Sequence, residues 1–207
     1  MSHNSTDNVI PPQEAGAQSD TYAFKKLDDD TTAKLFFKVV CDRLKNVNSW
    51  QKYSGDLTAD FRLCDEKGNE VDRSVQKSDR FKIDVPGPGT IAGNGYDWVK
   101  VEAIEESALP KGEMIMLRVR PASNPTDEKN DTAHFFTEDS TSSFIVKRIK
   151  DTVSAEVHGR NEKLNVGTGN VLDKTRNALA GAAAIAGASD FQWKSLTKGL
   201  IDYTEEL

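Results

Sequence analysis

The most regular pattern of apolar and polar positions runs from Arg80 to Ile104, RFKIDVPGPGTIAGNGYDWVKVEAI. Phe81, Ile83 and Val85 alternate there with Arg80, Lys82 and Asp84, the period of a strand with one buried and one wet face. Pro86-Gly87-Pro88-Gly89 interrupts it, because proline fixes φ and removes a donor while glycine accepts positive φ. From Tyr96 to Ile104 the chain resumes as a second strand, apolar on both faces for part of its length. The two are expected to pair antiparallel across the glycine-rich loop.

Further strands flank this pair. Leu57, Ala59, Phe61 and Leu63 alternate with Thr58, Asp60 and Arg62, Asp65 to Asn69 predicts a turn, and Val71, Arg73 and Val75 predict the return strand of a hairpin. Between Glu113 and Arg120, Ile115, Leu117 and Val119 face one way and Met114, Met116, Arg118 and Arg120 the other. Arg118 and Arg120, paired on one face, are suited to an acidic ligand or partner as well as to neighbouring carboxylates. Phe144 to Ile149 and Val153, Ala155 and Val157 give two more strands about a tight turn at Lys150 and Asp151. Six or seven strands without an intervening helix predict an antiparallel sheet or a partly closed barrel rather than a βαβ arrangement.

The helical period appears at both ends. Asp28 to Asp30 supply capping oxygens and negative charge for a helix in which Ala33, Phe36, Phe37, Val40, Leu44 and Val47 recur at three- and four-residue steps, widened by Leu35 and Val39. From about Asn170 to Ala188 an alanine-rich helix carries Gly181 and Gly187, whose spacing suits close approach to another helix or subunit. Ser189 and Asp190 read as caps of a second, amphipathic helix with Phe191, Trp193, Leu196, Leu200, Ile201 and Tyr203. The class is therefore α+β: an antiparallel six- or seven-stranded sheet or partly closed barrel with one N-terminal helix and C-terminal helices packed on it. Residues 1–20 read as a flexible tail and 21–207 as one domain, strand-rich over 56–160 and helical over 170–205.

A chain of 207 residues, 37% hydrophobic, can bury a sizeable core. Its 27 basic and 33 acidic residues leave a net charge of −6, which argues against nucleic acid or an anionic membrane as partner. No cationic run precedes an apolar one at the N-terminus and no stretch is long enough to span a bilayer, so a soluble, cytoplasmic, bacterial protein is expected. Cys41 and Cys64 read as reduced structural thiols.

Chemistry is sparse. GxxxxGK[ST], GxSxG and CxxC are absent, GTIAGNG precedes a strand rather than a helix, and no cofactor or metal is implied. His158, Arg160 and Glu162 follow the last strand and are the weak catalytic candidates, as acid, anion clamp and base. His134, Phe135 and Phe136 stand in a long aperiodic loop, PASNPTDEKNDTAHFFTEDSTS, either pinning it or serving as a lid or partner-binding surface.

Three functions are open. The first is a non-catalytic structural or interaction module in an assembly, a homo-oligomer or protein complex, using the tail, His134, Phe135, Phe136, Gly181, Gly187 and Trp193. The order of helix, strands and long C-terminal helix resembles the helix-grip plan of START and Bet v 1-like proteins, which implies the second: a cavity for a small apolar ligand. No strand is evident before the first helix, and the C-terminal helix reads as broken near Ser189, both departures from that plan. An enzyme using His158, Arg160 and Glu162 is the third.

Overall fold

The computed structural model describes residues 9–85, 93–127, 131–165 and 175–204, the last of these by backbone alone up to 186. Seven strands form one open antiparallel sheet in the order β1-β7-β6-β5-β4-β3-β2. They are β1 (Ala17–Lys26), β2 (Asp60–Cys64), β3 (Arg80–Asp84), β4 (Asp97–Leu109), β5 (Gly112–Pro121), β6 (Thr141–Ile149) and β7 (Thr152–Glu162). The expected central pair is β3 and β4, with Phe81 opposite Val99; the loop expected at Pro86 to Gly89 lies outside the described residues.

Helices α1 (Asp30–Lys45), α2 (Trp50–Ser54) and α3 (Thr175–Asp202) cover one face of the sheet. Asp29 caps α1, its Oδ1 accepting from Thr32 N at 2.7 Å. Ala33, Phe37, Val40, Cys41 and Leu44 turn inward, a narrower stripe than expected: Leu35 and Val39 stay 62% and 44% exposed. Trp50 is fully buried at the centre, its ring 5.2 Å from that of Phe61 and 4.9 Å from that of Phe144, while its indole N–H donates to Leu44 O at 3.1 Å. Arg43 donates to Leu200 O and Tyr203 O, both at 2.7 Å, so α1 supplies the cation that caps the C-terminus of α3.

Three expectations need correction. A strand, β1, does precede α1, and it begins at Ala17 inside the segment read as tail. Its covered face carries only Thr21, Ala23 and Lys25, too small and polar to announce a strand. The turn expected at Asp65 to Asn69 forms, but the return strand does not extend over 71–75: on the outer side of β2 only the bridge Cys64–Glu70 and the bond from Val71 N to Leu63 O follow it, and Val75 N turns to Lys45 O of α1. The C-terminal helix does not break at Ser189: α3 is continuous, and Asp190 pairs with Lys194 one turn on at 2.7 Å. Within the chain a Cβ at Gly187 would meet nothing within 4 Å, whereas at Gly199 it would lie 2.1 Å from Tyr53 O of α2. The side chain position of Gly181 lies outside the described residues.

The opposite face holds a smaller cluster of Met114, Met116 and Ile145. Val9 and Ile10 lie on it, and Arg118 donates to Val9 O at 3.0 Å. Asn161, at φ 57°, ties this strap down: its Oδ1 accepts from Glu14 N at 2.8 Å and Ala15 N at 3.1 Å, and its amide donates to Pro12 O at 3.2 Å. A bulge between Val101 and Ala103 sets Glu102 between Arg118 and Arg120, at 2.8 Å and 3.0 Å. Both guanidinium groups are thereby engaged within the chain.

Candidate functional site

On the helix-covered face, three elements enclose a small cavity. Phe61, Phe81, Ile83, Val99, Val119, Ser142 and Phe144 of the sheet form its floor, Ser189 and Trp193 of α3 its roof, and His134, Phe135 and Phe136 its side wall. The enclosed volume is about 30 Å³, room for about one water molecule. Trp193 packs edge-on against Phe144 at 5.2 Å.

The wall is a built part of the fold. Ala133 N donates to Ala122 O at 3.0 Å and its carbonyl accepts from Trp98 N at 2.7 Å, which fixes the loop to β4 and β5. Beyond the aromatic residues, Thr137 N donates to Lys163 O and Asn165 N to Phe135 O, at 2.9 Å and 2.7 Å, which fixes it to the chain after β7. His134 is buried, stacks on Phe135 at 4.3 Å, and accepts from Phe136 N at Nδ1 over 2.9 Å. Burial pushes its pKa down to about 3, so the ring is neutral and its proton sits on Nε2, a donor. His134, Phe135, Phe136 and Trp193 therefore meet around one cavity, whereas Gly187 stands in open space away from it.

The second cluster lies on the face away from the helices. His158 Nδ1 is 2.5 Å from Asp20 Oδ1 and Nε2 is 3.2 Å from Glu156 Oε2, with Arg160 2.9 Å from Asp20 and Lys147 2.8 Å from Glu156. Burial alone would lower the pKa of His158, but hydrogen bonds to Glu156 and Asp20 outweigh it and raise the value. Glu162 stands apart, accepting from Ser19 Oγ at 3.1 Å, and burial raises its pKa. The geometry is an ion network joining β1 to β7, with both imidazole nitrogens engaged. Of the partners, Glu156 is legible two residues before His158 on the same strand face; Asp20 is not, because its strand is not.

A wider cleft of about 530 Å³ opens between α1 and the β4–β5 hairpin, lined by Phe37, Cys41 and Met114 together with Lys38, Lys45, Glu106 and Glu113. Cys41 lends it no nucleophile, since burial pushes the thiol up to about 12; Cys64 is likewise buried and pushed up to about 11. Among the described residues no group of three or more His, Cys, Asp or Glu is placed to hold a metal, and no helix is long and apolar enough to cross a membrane.

No family model matches the chain, and no curated protein matches its sequence. Among solved structures it is similar to the hypothetical protein jhp0584 from Helicobacter pylori, at 15% identity and a TM-score of 0.54 over 93% of this chain and 90% of that one. That likeness shows a shared fold. Ara h 8.0201 aligns at 10% identity over 90% of this chain and 100% of its own, with a TM-score of 0.33. A START superfamily protein from Mycobacterium smegmatis aligns at 11% identity over 88% and 100%, with a TM-score of 0.32. Likenesses as distant as these two say nothing of function.

Proposed function

We propose that the chain binds a small, ring-shaped apolar molecule between α3 and the sheet, without catalysing its conversion. The observation that carries this reading is the wall of the cavity: six aromatic rings and five aliphatic or serine side chains from the sheet, α3 and the loop at 134–136 converge there, with neutral His134 as the one titratable group. Such a wall favours an uncharged guest, and the His134 Nε2–H offers it one donor. At about 30 Å³ the cavity is too small for a ring, so entry requires the half-buried Phe135 and Phe136 to swing outward. A strand before α1 and an unbroken α3 match the helix-grip order of elements, which supports a guest site between the long helix and the sheet.

Thermal melting and tryptophan fluorescence in the presence of indole and of naphthalene test this. A saturable rise in melting temperature of several degrees is expected, lost in Ser142→Leu, which fills the cavity from its floor. No rise with either compound, or one that persists unchanged in Ser142→Leu, overturns the reading.

A further inference from the structure

The two edges of the sheet are treated differently. At β2 the outward groups on either side of Phe61 are taken: Leu63 N donates to Asn48 Oδ1 at 2.7 Å, Leu63 O accepts from Val71 N at 2.9 Å, and Ala59 N, just before the strand, donates to Gln192 Oε1 at 2.7 Å. At β1, among the described residues, nothing hydrogen-bonds the free edge between Thr21 and Lys26, whose partners all lie on the β7 side. The run has neither proline nor bulge, its one irregularity falling earlier, between Ala17 and Ser19. Tyr22 and Phe24 stand on the face away from the helices, 72% and 65% exposed. An unblocked edge carrying exposed aromatic residues is a template for another strand.

We propose that this edge pairs with the same edge of a second copy of the chain, β1 against β1, in the antiparallel register centred on Ala23. A two-fold axis makes every contact occur twice, and directly opposed residues of an antiparallel pair share a face. Centred on Ala23, Asp20 stands opposite Lys26 and Tyr22 opposite Phe24, so two opposite-charge pairs and two aromatic pairs form on one face. Ala23, small enough to meet itself, lies on the axis. Centring on Tyr22 sets Asp20 against Phe24, and centring on Phe24 sets Tyr22 against Lys26; each loses the charge pairing. Asp20 keeps His158 and Arg160 on its own chain, and Lys26 exchanges only a long, exposed contact with Asp151 at 3.6 Å. Because the β2 edge is covered, association stops at two copies.

Sedimentation equilibrium of the full chain over a wide concentration range, with Phe24→Lys beside it, tests the interface. Twice the chain mass is expected, with a dissociation constant about tenfold higher or more in the variant, whose circular dichroism is unchanged because the side chain is exposed. The doubly substituted Tyr22→Cys/Phe24→Cys chain fixes the register: mild oxidation is expected to link position 22 of one copy to position 24 of the other, while the buried native thiols stay reduced. A mass of one chain at every concentration, a dimer indifferent to Phe24→Lys, or disulfides joining position 22 to position 22 overturns the proposal.

Discussion

Gly199 and Gly187 stand on the same helix and carry opposite expectations. A Cβ at Gly199 would sit 2.1 Å from Tyr53 O, a backbone atom that cannot yield without moving α2. Gly199→Ala is expected to destabilise by about 1–3 kcal/mol in urea denaturation. Gly187→Ala meets open space and is expected to stabilise by about 0.5–1 kcal/mol, from helix propensity alone. Equal effects at the two positions would contradict the packing of α3 on α2. His158 makes a pH-dependent case. Its folded pKa is raised, so the stability it contributes is complete below the unfolded value of about 6.5 and is lost as pH rises through the folded value. The difference in unfolding free energy between the native chain and His158→Gln should therefore be largest in acid and shrink toward alkaline pH. Glu156 behaves oppositely: burial would raise its pKa, but bonds to His158 and Lys147 hold it at about 2, so its share is complete above the unfolded value of about 4.5 and is lost as the pH falls from there through the folded value. A difference that stays flat with pH would rule out the ion network.

At the scale of elements, the strap over the second face depends on Asn161, whose left-handed backbone and three side-chain bonds no alanine can supply. Asn161→Ala is expected to cost about 1–3 kcal/mol, to speed hydrogen exchange across residues 9–16, and to quicken peroxide oxidation of Met114 and Met116 beneath them. Oxidation at the native rate would mean the strap is held elsewhere. This strap also marks how far the sequence was legible. Strands β3 to β7 declared themselves because large apolar residues recur at every second position on the side that faces the helices. In β1 the arrangement is inverted, with Tyr22 and Phe24 outward and Thr21 and Ala23 beneath α3, so alternation by size misleads. The same inversion hid Asp20, and with it half of the network around His158. At the cavity, His134, Phe135, Phe136 and Trp193 were visible as unusual residues, but their convergence depends on a loop pinned by backbone bonds, which leave no mark in side-chain pattern. Ser189 and Asp190 look like caps in any sequence; mid-helix they are tolerated where an exposed acid finds a lysine four residues on.

For the molecule as a whole, the sheet order carries a consequence for how the chain is assembled. Strands β2 to β7 each lie beside their neighbours in sequence, a meander that can form turn by turn as it is made. β1 alone pairs across nearly the whole sheet in sequence, from Lys26 with Thr152 to Ala17 with Glu162. Contacts so distant along the chain are slow to close, and a strand awaiting its partner exposes its backbone and its aromatic side chains meanwhile. During synthesis β1 remains a loose ribbon until Glu162 has been added, and only then does the meander acquire its seventh strand. The first strand made is the last to be seated.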